Sequence, residues 1–110
     1  MSLDLFVLQP ANAASVDQAV AIVMEETPGT PDDSGALAAY AREVYDAYGD
    51  DDWPFGGDPI VEDAFVQLVV APEAWEPEVP KLIERAHRYG LTVVDPQSEQ
   101  LFPPGQPYGS

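Results

Sequence analysis

Two short apolar runs restrict the fold of this chain more than any other feature. Leu3 to Leu8 reads Leu-Asp-Leu-Phe-Val-Leu and is stopped by Pro10; Phe65 to Ala71 reads Phe-Val-Gln-Leu-Val-Val-Ala and is stopped by Pro72. Both are short for a buried helix and alternate too little for a strand with a wet face. Each is therefore predicted as a strand covered on both sides or nearly so.

The segments between and after them complete the order. Ser15 stands three residues before Gln18, a capping-box spacing, ahead of Val16, Ala19, Val20 and Val23 on one helical face, which predicts a helix from about Val16 to Glu26. The stretch from Thr27 to Asp33 breaks it. Leu37, Tyr40, Ala41, Val44 and Tyr48 then recur at helical spacing up to the expected stop at Gly49. Asp50 to Pro59 reads as an acidic loop, and Pro59 to Glu62 as a short edge strand. A third helix is predicted from about Pro80 to Tyr89, with Val79, Leu82, Ile83, Ala86 and Tyr89 on its apolar face and Gly90 as its cap. Leu91 to Val94 makes a last strand, and Asp95 to Ser98 turns the chain toward a short Leu101-Phe102 segment.

This order gives an α+β class: a ferredoxin-like βαββαβ two-layer sandwich with one additional helix. One domain is expected over residues 1–102, followed by a Pro/Gly-rich tail over 103–110. In that plan the first and third strands are central, and they are the two runs with the least alternation. A two-layer sandwich covers only one face of its sheet. The second face then needs the additional helix, the C-terminal segment or a second copy of the chain.

The surface is strongly acidic. Twenty Asp and Glu stand against four Lys and Arg, a net charge of -16 on 110 residues. Such an excess costs stability through self-repulsion and suits solubility or a positively charged partner. It disfavours DNA, RNA and anionic lipid, whose phosphates would be repelled. Hydrophobic content of 45% is too high for a disordered acidic tail. The chain has no cysteine, so disulfide and zinc-thiolate chemistry are absent. It shows neither a basic, apolar leader nor a membrane-length apolar run, which makes a cytoplasmic location the default expectation.

No residue set specifies a reaction. Glu84 and His87 have the Glu-x-x-His spacing of di-iron helices, but no second pair exists because His87 is the sole histidine. Asp50 and Asp52 match the start of a calcium loop, yet Pro54 and Phe55 occupy the following ligand and glycine positions. No serine lies in a Gly-x-Ser-x-Gly elbow. Neither an enzyme nor a cofactor is expected. The remaining acidic pairs, Asp32-Asp33 and Glu62-Asp63, read as solvated loop residues.

The candidate contact residues lie where acids flank aromatics: Asp50, Asp51, Asp52, Trp53, Phe55 and Asp58 in one loop, and Trp75 between Glu73 and Glu76. An aromatic anchor within a charge field suits docking to a basic protein. The competing reading puts Trp53, Phe55 and Trp75 in the core. Lys81, Arg85 and Arg88 form one stripe of the third helix, expected to offset acids of a neighbouring helix such as Glu43 or Asp46.

Leu3-Asp4-Leu5-Phe6-Val7, Trp53-Pro54-Phe55, the Val66 to Val70 strand and Tyr89-Gly90-Leu91-Thr92-Val93-Val94-Asp95-Pro96-Gln97 resemble small, mostly uncharacterised bacterial proteins of this length. Some of these look like immunity proteins of polymorphic toxin and contact-dependent inhibition systems. The resemblance implies a cytoplasmic bacterial protein that neutralises a basic partner, such as a nuclease-type toxin, by binding it. The alternative expectation is a small structural or regulatory homodimer with a self-complementary apolar face.

Overall fold

The computed structural model describes residues 3–48 and 60–105, apart from the Tyr48 side chain. Its elements run β1 (Leu3–Leu8), α1 (Val16–Val23), α2 (Ala36–Tyr48), β2 (Ile60–Val61), β3 (Phe65–Val70), α3 (Pro72–Arg88), β4 (Thr92–Asp95) and β5 (Gln100–Phe102). The strands form one five-stranded antiparallel sheet in the order β2-β3-β1-β4-β5. The α+β class thus holds. β1 and β3 are both interior strands.

Strand pleating sends alternate side chains to opposite faces. Leu5 and Val7 of β1 join Val66, Leu68, Val70, Val93 and Phe102 in a large core closed by Leu37, Tyr40 and Val44 of α2 and Val79, Leu82 and Ile83 of α3. Phe6 and Leu8 point the other way and join Val94, Ala19 and Ile22, with Val16, Val20 and Leu101 packed around them. α1 therefore lies across the sheet from α2 and α3. The expected two-layer arrangement is corrected to three layers, because β1 could not otherwise remove Phe6 and Leu8 from water.

The coverage is uneven. α1 packs over β1 and β4, so residues 5–8 and 92–95 are buried throughout. β3 lies beyond it, and its second face (Phe65, Gln67, Val69) is only half-buried. The expectation of two covered faces thus holds for most of β1, while β3 has one fully buried face; β4, a weaker signal, is fully buried.

Local chemistry sets the boundaries. Ser15 Oγ accepts the backbone N–H of Gln18 at 3.1 Å, as the capping spacing predicts, while the Gln18 amide bonds Ala14 N and Ala11 O. α1 stops at Val23, short of the expected Glu26, in a turn where Glu25 N donates to Ile22 O and Glu26 N to Ala21 O. The largest difference is α3, which starts eight residues before the expected Pro80. Pro72 is tolerated as its first helical residue, where no donor is needed. Pro77 and Pro80 sit inside it on exposed positions. The helical carbonyls they deprive of a donor belong to Glu73 and Glu76, both exposed residues whose carbonyls water can serve. Burial of Val79 and half-burial of Ala74 and Trp75 against the main core offset the remaining cost.

Polar side chains fix the connections. The buried Asn12 donates to Thr30 O at 2.8 Å and accepts from Thr30 N at 3.0 Å, pinning the 27–33 segment to the end of β1. Gln97 does the same past the end of β4: its amide accepts from Asp4 N and donates to Asp4 O, replacing strand partners, while the buried Asp95 carboxylate holds Gln97 and Ser98. Tyr40, fully buried, donates to Leu82 O at 3.1 Å and meets Tyr89 edge-on at 6.3 Å.

Gly29 lets the 27–33 segment close on α1. A Cβ there would stand 2.9 Å from Ile22 Cγ2 and 3.0 Å from the Ala64 Cβ. Gly29→Ala should destabilise the fold by about 1–3 kcal/mol through overpacking. Chemical denaturation measures this, and an unchanged midpoint would contradict the close approach.

Candidate functional site

Of the residues nominated by the sequence, Asp50, Asp51, Asp52, Trp53, Phe55 and Asp58 lie outside the described residues. Trp75 lies in the first turns of α3, half-buried against the main core. It is both a core contact and partly open to solvent.

Three of the four cations, all on α3, are committed within the chain. Arg85 Nη1 lies 3.4 Å from Glu43 Oε2 on α2, a charge contact without an aligned hydrogen bond. Lys81 faces Glu78 at 3.9 Å, and Arg88 donates to Glu84 at 2.9 Å. These pairs are partly exposed and each is worth less than about 1 kcal/mol. The stripe on α3 is thus neutralised along its length.

His87 and Glu84 do not converge on a common point. His87 Nε2 donates to Phe102 O at 3.0 Å in the tautomer that this contact requires, tying α3 to β5, while Glu84 faces Arg88. Among the described residues, no three His, Asp or Glu side chains group as a metal site. No helix among them is long and apolar enough to cross a membrane.

The two described acidic pairs differ in kind. Asp32 is structural: its Oδ2 accepts from Leu37 N at 2.7 Å in the first turn of α2, and its Oδ1 accepts from Ser34 N, Ser34 Oγ and Gln9 Nε2. Desolvation pushes its pKa up, but the hydrogen bonds from Leu37, Ser34 and Gly35 outweigh this and hold it below 3.8. Glu62 and Asp63 form the exposed turn between β2 and β3, fixed by Glu62 N to Phe65 O and Asp32 N to Asp63 O bonds. Sequence reasoning treated the two pairs alike. The signal separating them was Ser34, two residues after Asp32 at a helix start.

A cleft opens on each side of the Glu62-Asp63 turn. The larger, about 350 Å³, runs between the end of α1, the 27–29 segment and the start of β3. The smaller, about 230 Å³, lies against the first turn of α2. Ile60 and Val61 of the edge strand, 44% and 47% exposed, adjoin this region. The sequence did not point to it, because it is assembled from residues in three separate segments.

No family model, curated protein or solved structure matches this chain.

Asp32 makes acid stability testable. Its folded pKa is depressed, so its contribution is fully present above the unfolded value near 3.9 and is lost as pH falls through the folded one. Asp32→Asn should cost about 1 kcal/mol at pH 7. In urea unfolding the gap from the parent chain should narrow below about pH 4; a gap that widens on acidification would contradict this role.

Proposed function

We propose that this chain is an acidic, non-enzymatic binding protein of immunity or inhibitor type, which neutralises a basic partner by direct contact. The observation that carries the reading is the net charge of -16 that remains after all four cations are set against the 20 acids. Lys81, Arg85 and Arg88 are each matched to one acid of their own chain, so the excess is left for solvent or a partner. The sequence resemblance to bacterial immunity proteins points the same way, toward a cytoplasmic chain and a nuclease-type toxin. The contact surface is assigned to Asp50, Asp51, Asp52, Trp53, Phe55 and Asp58, with Trp75 as a second aromatic. The ferredoxin-like plan belongs to this proposal; the run β4-β1-β3-β2, with β5 added at the edge, supports it.

A second reading, the homodimer, draws on Ile60 and Val61 exposed at the sheet edge. It ranks lower because two copies of this charge repel.

The test is capture of the basic products of neighbouring reading frames at low and high salt. Retention should fall at least tenfold in high salt and with Asp50, Asp51 and Asp52 changed to Asn. Retention indifferent to both would overturn the mechanism. A concentration-dependent dimer by light scattering, without capture, would favour the second reading.

A further inference from the structure

We propose that the larger cleft is a pocket for an arginine side chain of the partner protein, a deeper reading of the same function that rests on a basic partner. Its floor is apolar, made by Ile22, Ala64 and Phe65, and its rim carries Glu25 from the end of α1 and Glu62 and Asp63 from the β2–β3 turn. The rim residues are exposed, and none is ion-paired among the described residues. The described portion of α3, which holds three of the four cations, packs on the opposite face of the sheet. The cleft thus offers a wall for an aliphatic stem, an aromatic ring, and carboxylates on two separate elements. A guanidinium matches this set, since its planar fork serves two acceptors at once and stacks on rings.

Glu25 strengthens the assignment to this groove. Its backbone is left-handed, with φ of 62°, at the position where a helix-ending turn favours glycine. Its carboxylate also stands at a helix C-terminus, where the dipole favours a cation. Folding alone is served better by glycine here on both counts. A bound guanidinium would supply the missing positive charge.

The probe is N-acetyl-arginine methylamide, with the uncharged citrulline analogue as comparator, titrated into the ¹⁵N-labelled full chain at low salt. The arginine probe should shift the amide signals of Gly29, Ala64 and Phe65 saturably, and the citrulline analogue should not. Glu25→Gly should weaken binding at least threefold without lowering the melting temperature, and Glu62→Gln with Asp63→Asn should act similarly. Diffuse, unsaturable shifts, or an E25G chain that binds as well as the parent, would overturn the pocket. A tetra-arginine peptide separates this from the broader reading. If it binds while the cleft signals stay still, the pocket fails and the basic-partner function stands; if it does not bind at all, both fail.

Discussion

The rest of the structure depends on the two-sided burial of β1. Its side chains Leu5 and Val7 on one face and Phe6 and Leu8 on the other are all but removed from water, and a single layer of helices cannot bury both faces. α2 and α3 answer the first requirement and α1 the second. Placing α1 there creates a further demand, since the chain must then return across the sheet to begin α2. The 27–33 segment makes that return, held by Asn12 to Thr30, by Gln9 to Asp32 and by the fit of Gly29. Asp32 then caps α2. The cleft beside Glu25 is a by-product of this route, lying where the returning chain meets the β2–β3 turn.

Much of this was legible in the residues, for identifiable reasons. β1, the start of α1 and the span of α2 were readable because apolar pattern and capping chemistry agree there. The need to cover a second face was also readable from the lack of alternation in Leu3 to Leu8. Which element covers it was not, because α1 has an ordinary amphipathic pattern that fits either face. The early start of α3 was hidden by Pro72, Pro77 and Pro80, which argue locally against a helix. Packing of Ala74, Trp75 and Val79 overrides them. β5 was seen only as Leu101-Phe102, since three residues carry no period. The candidate loop at 50–58 lies outside the described residues, so the sequence alone nominates it.

Charge and fold divide the molecule between them. Three of the four cations sit on α3, where Arg85 meets Glu43 of α2 and Lys81 and Arg88 pair along the helix. Two acids, Asp32 and Asp95, are consumed by hydrogen bonds that shape turns. Glu25, Glu62 and Asp63 perform no such service, and Glu25 stands where its charge and its side chain both oppose local stability. Acids of this second kind are the ones that the proposed basic partner would engage.

Under the proposed function, this acidic excess is uncompensated within the fold and serves an external cationic partner. Thermal unfolding of the isolated chain between about 0.02 and 0.5 M sodium chloride tests it most directly, since screening relieves only repulsion that the fold has left standing. The melting temperature should rise steadily with salt. A flat or falling dependence would contradict the claim, because the acids would then already be balanced inside the molecule.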